Sequence, residues 1–281
     1  QASQAGAVVL SLNPVEYDTI FPVQHSIVAS DLVNSLGQVA KALIGKKLAK
    51  SDALSAITVS DAAKAIAVQL KQAKTGSLLL GEYALGHPHA SQIRALARLI
   101  EQHTAITVGS LSVGANAAGA YIAGAVPHQG PAGQSIKTPG RNAYELLTDQ
   151  PTKAYVLLGA ELEYDCAYSA AALQVLSEAS LVVCLSPYTT PAMLKYADFI
   201  LPTAPFAENS GTFVNAAGSW QSFCAGTIPQ GDSKPAWKVL RALAGFMMMD
   251  DFEYQTEHQV VAELQAQWDA RDEQESASDV Q

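Results

Sequence analysis

Short apolar runs that alternate with helical stripes restrict most severely what this chain can fold into. Ser77-Leu78-Leu79-Leu80-Gly81 shows no polar alternation, the pattern of a strand buried on both faces. Ile93, Leu96, Ala97 and Ile100 then recur at helical spacing, and Ala105-Ile106-Thr107-Val108-Gly109 is the next apolar run. Strand, crossover helix and strand predict a parallel pair, since an antiparallel pair would need only a tight turn. The unit recurs as Ala154-Tyr155-Val156-Leu157-Leu158-Gly159, a helix over 170–179, and Leu181-Val182-Val183-Cys184-Leu185. A short helix over 191–197 and a strand, Asp198-Phe199-Ile200-Leu201, stopped by Pro202, follow it. The fold class is therefore α/β, with open, mostly parallel sheets and helices on both faces.

Local signals extend the pattern outward. Ala7-Val8-Val9-Leu10-Ser11-Leu12 reads as a strand ended by Asn13-Pro14. Ser30-Asp31 caps a helix striped by Leu32, Leu36, Val39 and Leu43 and stopped by Gly45. Ser60-Asp61 opens another with Ala63, Ile66, Ala67 and Leu70 inward. Lysines 41, 46, 47, 64, 71 and 74 read as solvated faces and partners of helix C-termini. After Pro202 the texture becomes rich in Gly, Asn and Ser, with short β runs at Thr212-Phe213-Val214 and Trp220-Gln221-Ser222-Phe223. Pro235 starts a helix with Trp237, Leu240 and Leu243-Ala244 inward, and a last helix near 256–270 aligns Val261, Leu264 and Trp268. Beyond Asp269 the composition is that of a loose end. The expected divisions are 1–75, the end of one α/β layer; 76–249, the main domain, with an irregular β insertion near 203–225; and the acidic 250–281.

Charge and cysteine content exclude several functions. The net charge of −9 sits in residues 250–281, where ten acids face one base, Arg271; the remaining residues balance. No basic surplus exists to neutralise phosphates, which argues against nucleic acid as a partner. Cys166, Cys184 and Cys224 are widely spaced and contain no Cys-x-x-Cys, so neither a disulfide framework nor an iron–sulfur or zinc site arises from this chain alone. The segment from His103 to Lys137 lacks Asp, Glu, Lys and Arg before Lys137, but its glycines and prolines fit a buried small-residue loop or a tightly packed strand–helix corner, not a membrane span. The chain opens on Gln1, almost directly on a strand and without a signal sequence, and is read as part of something longer.

Candidate chemistry lies at strand ends. Gly81, Gly109 and Gly159 end three strands, where backbone can approach a phosphate or a pterin, yet no Gly-x-Gly-x-x-Gly follows any of them. Gly114 and Gly119 lack the Lys and Ser/Thr of a P-loop. His87-Pro88-His89 has no carboxylate or cysteine beside it and reads as a polar loop entering a helix. Glu161, Glu163 and Asp165 have the makings of an acid–base or magnesium site, but three carboxylates on one side of an extended segment repel, so solvation is the expected role. No Ser-His-Asp or Cys-His constellation emerges from local signatures.

Residues 196–223 carry a resemblance. Tyr196-Ala197-Asp198-Phe199-Ile200-Leu201-Pro202, then Glu208-Asn209-Ser210-Gly211-Thr212-Phe213-Val214-Asn215, Gly218 and Gln221 resemble the molybdopterin oxidoreductase superfamily, in which a Tyr-Ala-Asp strand ending in Leu-Pro precedes Glu-x-x-Gly-Thr-Phe-x-Asn and Gly-Arg-x-Gln. Within it the chain looks most like the carboxyl-terminal part of the cluster-carrying peripheral-arm subunits of the bacterial proton-pumping NADH–quinone oxidoreductase, respiratory complex I. The supporting residues are Gln221-Ser222-Phe223, Pro229, Gly231, Pro235-Ala236-Trp237-Lys238-Val239-Leu240-Arg241, Leu80-Gly81-Glu82, Gly114-Ala115-Asn116, Gly124-Ala125-Val126-Pro127-His128 and Leu157-Leu158-Gly159-Ala160-Glu161. Ser219 departs from the pattern, standing where the superfamily shows Arg.

That resemblance implies a molybdopterin-oxidoreductase-like fold of Rossmann-type layers, generally without pterin in these complex I subunits, and iron–sulfur clusters in an amino-terminal part of the parent chain. It implies a structural, non-catalytic piece, inactive alone, of an enzyme that moves electrons from NADH to quinone. Its partners would be other peripheral-arm subunits, at the cytoplasmic face of the bacterial inner membrane. No catalytic, metal or cofactor-binding residue is then expected; Glu208, Asn209 and Asn215 would satisfy backbone in an irregular turn, with Trp220 and Trp237 as core anchors. The alternative is a fragment that binds molybdopterin guanine dinucleotide in a molybdenum oxidoreductase such as formate dehydrogenase, using Gly81, Gly159, Thr189, Thr190, Glu208, Asn209 and Asn215. An unrelated nucleotide-binding enzyme is the third reading.

Overall fold

A computed structural model describes residues 2–45 and 53–278. Packing divides the chain into two units, Gln1–Val113 and Gly114–Gln281.

In the first unit, β1 (Leu10–Asn13) pairs in parallel with β2 (His25–Val28), joined by a loop at 14–24. α1 (Leu32–Ile44) begins where the Asp31 carboxylate accepts the Asn34 N–H at 2.9 Å, and ends at Gly45, whose φ of 61° suits glycine. The carbonyls of Ser55 and Ile57 accept from Lys41 Nζ at 2.6 and 2.7 Å, so this lysine is committed to a turn and not simply solvated. Lys46 and Lys47 lie outside the described residues. α2 (Asp61–Gln72) is capped by Ser60, whose hydroxyl accepts the Ala63 N–H at 3.2 Å. β3 (Gly76–Leu80), the short α3 (Glu82–Leu85), α4 (Ala90–Gln102) and β4 (Ile106–Ser110) form the expected parallel crossover, in register Gly76↔Ile106 to Leu80↔Ser110. Leu10, Leu12 and Ile27 share one core with Leu36, Val39, Ile66, Leu80, Ile93 and Ile100. The division drawn at residue 75 therefore needs correction, because side chains from both sides of it fill that core.

In the second unit α5 (Ala117–Ile122) follows the glycine-rich segment. Gly119, Ile122 and Ala132 are buried, but Tyr121 and most of residues 134–144 are exposed, so the buried loop is realised only in part. The central sheet comprises β5 (Ala154–Leu158), β6 (Leu181–Ser186) and β7 (Phe199–Pro202), all parallel. The crossovers contain α6 (Leu162–Asp165), α7 (Ser169–Glu178) and α8 (Met193–Tyr196). Pro202 lies inside β7 and pairs with Ser186, tolerated because β7 is an edge strand and Pro needs no donor there. Tyr155, Val182 and Cys184 point into a core with Ala172, Leu176, Met193 and Tyr196. Val156, Leu158 and Phe199, one residue out of phase, are more than half exposed.

β8 (Gly211–Val214) and β9 (Trp220–Phe223) form an antiparallel hairpin whose Phe213 and Phe223 rings meet edge to face at 4.9 Å. α9 (Ala236–Phe246) buries Ala244, while Leu240 faces solvent and Trp237 is only half-buried, with Lys238 and Arg241 over its ring. Trp220 is likewise half-buried, so neither tryptophan is a core anchor. α10 (Glu257–Ser278) runs past Asp269, where a loose end was expected. Its half-buried stripe of Val261, Leu264 and Trp268 continues to Arg271, which donates to the Ala132 carbonyl at 2.9 Å and so holds the helix beyond its apolar face.

Asn116 links two elements of this unit: its Oδ1 accepts the Val214 N–H at 2.8 Å, across 98 residues of chain. A Cβ on Gly119 would stand 2.0 Å from that oxygen. Gly119→Ala should therefore cost about 1–2 kcal/mol in chemical denaturation by displacing a bonded side chain. In an Asn116→Ala background the same change should be neutral or slightly stabilising, since alanine favours a helix.

Candidate functional site

Open parallel sheets bind ligands beyond the carboxyl ends of their strands, so the ends of β5 and β6 are the place to look. Gly159 follows β5 with φ 58°, and its N–H donates to the Leu185 carbonyl at 2.9 Å. That bond fixes the strand ends and occupies the donor a ligand would use. The Glu161–Asp165 segment is not extended but coils into α6, which turns Glu163 away from Asp165. Asp165 turns back to accept the Glu161 N–H at 2.7 Å. Glu163 accepts the Thr190 hydroxyl at 2.8 Å through Oε1, a bond that ties the loop after β5 to the loop after β6. The same Thr190 oxygen accepts the Met193 N–H at 3.1 Å and starts α8.

Solvation, the expected role for these acids, therefore fails for Glu163. Its Oε2 is buried without a hydrogen-bond partner, as is the hydroxyl of Tyr196, which is 7% exposed. Burial pushes the Tyr196 phenol up to about 12, with Cys184, Glu163 and Glu161 adding to the shift. Burial, then Glu163, also raises the Cys184 thiol. A thiol held protonated is a poor nucleophile, and a phenol held neutral is no base at ordinary pH.

The other residues considered for cofactor binding are similarly engaged. Glu208 Oε2 accepts the Gln230 N–H at 3.1 Å. Asn209 Nδ2 donates to the carbonyls of Ala204 and Pro205 at 2.8 and 3.0 Å. Asn215 Oδ1 accepts the N–H groups of Ala217 and Ser219, each at 3.0 Å, and shapes the hairpin turn. Thr189 is exposed beside Thr190. Gly81 lies in the first unit, where its carbonyl accepts from Ala84 and Leu85 at the start of α3. The structure thus brings Thr190 to Glu163, an acid outside the considered set, and sets Glu208 and Asn209 on one irregular turn. The pairing of Thr190 with Glu163 escaped sequence reading; the only hint was a Thr before a helix start, a common capping position.

His87 and His89 rings stand 5.7 Å apart beside Tyr83, with the His89 N–H directed at His87 Nδ1. Among the described residues no three His, Cys, Asp or Glu side chains converge as a metal ion requires.

Comparison with known proteins places this geometry. A family model described as molybdopterin oxidoreductase matches residues 44–246, well over half of the chain. The chain belongs to the molybdopterin oxidoreductase family. A Staphylococcus aureus (strain MRSA252) protein provisionally named a formate dehydrogenase is 42% identical over 55 residues, 20% of this chain and 6% of that protein. The 78 kDa subunit of the mitochondrial NADH-ubiquinone oxidoreductase of Candida albicans (strain SC5314 / ATCC MYA-2876) is 42% identical over 52 residues, 18% of this chain and 7% of that protein. These matches span only a small part of the relatives' length. In fold the chain is similar to the formyltransferase/hydrolase complex from Methylorubrum extorquens, at 17% identity and TM-score 0.55 over 87% of this chain and 66% of that one. It is also similar to acetylene hydratase from Pelobacter acetylenicus, at 16% identity and TM-score 0.53 over 90% of this chain and 44% of that one.

The family name implies a pterin cofactor, and the residues at these strand ends fit its phosphate-bearing nucleotide form poorly. Phosphate needs cations or free N–H donors. No Lys or Arg occurs in residues 154–194, which span both strand ends, whereas Glu161, Glu163 and Asp165 do. The Gly159 donor and the Thr190 hydroxyl are already bonded, and Ser219 supplies no charge where the family pattern has Arg.

Tyr196→Phe provides a direct check on the buried group. Removing an unpartnered hydroxyl should leave stability at neutral pH unchanged or raise it by up to about 1 kcal/mol. In the parent chain the unfolded phenol ionises near 10 and the folded one near 12, so stability should fall as pH rises across that interval. Denaturation curves of the variant should lack that component; a clear loss at neutral pH would mean that the hydroxyl has a partner.

Proposed function

We propose that this chain is the carboxyl-terminal, molybdopterin-oxidoreductase-like part of the cluster-carrying peripheral-arm subunit of an NADH–quinone oxidoreductase, serving as a packing piece and not as a catalyst. One observation carries the reading: the corner at the ends of the central strands is acidic, and its Gly159 N–H and Thr190 hydroxyl are used within the chain. The likeness to the Candida albicans 78 kDa subunit supports it. The parent enzyme would transfer electrons from NADH to quinone, with the iron–sulfur clusters carried elsewhere in the parent chain. The partners would be other peripheral-arm subunits, with assembly at the cytoplasmic face of the bacterial inner membrane. No helix among the described residues is long and apolar enough to cross a membrane.

A second reading rests on the relatives provisionally named formate dehydrogenase, which match over a similar number of residues at the same identity. Under it the chain holds molybdopterin guanine dinucleotide.

Elemental analysis and pterin fluorescence of the full-length parent, purified from its host, decide between them. The expected result is iron with neither molybdenum nor pterin in stoichiometric amount, and NADH oxidation only in the assembled complex. Stoichiometric molybdenum and pterin would establish the second reading instead.

A further inference from the structure

The end of α9 closes in a Schellman turn: the Met248 N–H donates to the Gly245 carbonyl at 3.1 Å and the Met249 N–H to the Ala244 carbonyl at 3.0 Å. The residue that such a turn holds in left-handed backbone is here Met248, with φ 53°. Glycine is usual at that position, because a Cβ crowds the following carbonyl. Among the described residues nothing compensates through packing. Met248 is 89% exposed and Phe246 86%, and Met247 and Met249 are exposed beside them. Phe252, also exposed, follows a second left-handed residue, Asp251. Backbone strain combined with a contiguous apolar patch marks a surface that is used.

Charge restricts what covers it. Asp250, Asp251 and Glu253 are exposed next to the patch, and residues 242–270 contain no Lys or Arg. Anionic lipid and nucleic acid are both repelled by such a border. Unbranched, polarisable methionines mould themselves to the irregular floor of a protein pocket. We propose that Phe246–Met249 is an anchor that inserts into an apolar pocket of a partner polypeptide whose rim carries Lys or Arg, with Asp250, Asp251 and Glu253 pairing with that rim. That the partner is a neighbouring peripheral-arm subunit rests on the function proposed above; the anchor itself does not.

The test places the photo-crosslinking residue p-benzoylphenylalanine at position 248 of the full-length parent in its host, purifies the assembly, irradiates it and sequences the adducts. The expected adduct is an apolar peptide of a different polypeptide, bordered by Lys or Arg. Adducts confined to the parent chain or to phospholipid, or no more than are formed by the same probe at exposed Gln221, would overturn the anchor. Met248→Gly adds an independent readout. Relief of the left-handed strain should raise the thermal midpoint of the parent chain, while binding of the crosslinked polypeptide weakens by about tenfold or more. A stabilised variant that binds its partner unchanged would overturn the anchor. If the adduct lies on a polypeptide foreign to any NADH-oxidising complex, the anchor stands and the proposed function fails. If the parent co-purifies with NADH–quinone activity but its adducts are internal, the function stands and the anchor fails.

Discussion

Parallel strand pairing is the constraint from which most of this structure follows. A parallel pair cannot be closed by a tight turn, so each step from one strand to the next requires a crossover long enough to return the chain. In β3–α4–β4 and β5–α7–β6 that return is a helix, and its apolar stripe is what fills the core. The same geometry gathers the strand ends on one side of the sheet. The loops leaving β5 and β6 therefore become neighbours and must settle their polar groups with each other. The bond from Thr190 to Glu163 and the Gly159 N–H on Leu185 are the outcome.

Elements governed by local chemistry were legible in the sequence. Asp31 and Ser60 cap α1 and α2 as their residue types demand, and Gly45 ends α1 with the backbone that glycine permits. From residue 76 onward the apolar runs became strands within a residue of their expected ends, while the first, read over 7–12, pairs only from Leu10 to Asn13. What escaped was decided at long range. β2 is a short segment with polar His25 and Ser26, held as a strand by its register against β1. α10 outlasts its apolar stripe because Arg271 finds the Ala132 carbonyl. Met248 turns left-handed without the glycine that would have announced it.

The candidate site was legible in outline and not in detail. Its position followed from the fold class, and its acids could be named. Their pairing could not: Glu163 meets a hydroxyl 27 residues away, and an extended reading of residues 161–165 placed all three carboxylates on one side where a helical turn leads Glu163 away from Asp165. Membership of the molybdopterin oxidoreductase family accounts for the architecture. The charge at the strand ends is a separate property, set by a handful of side chains that can change while the backbone does not.

The half-exposed face of the central sheet has a colloidal consequence. Val156, Leu158 and Phe199 form an apolar strip on β5 and β7, and both of those strands are sheet edges. Apolar strips at sheet edges are the surfaces through which proteins associate out of register and precipitate. The excess negative charge of residues 250–281 opposes such association through repulsion between copies. The chain thus carries an apolar stretch that favours association and, far from it in sequence, an acidic stretch that opposes it.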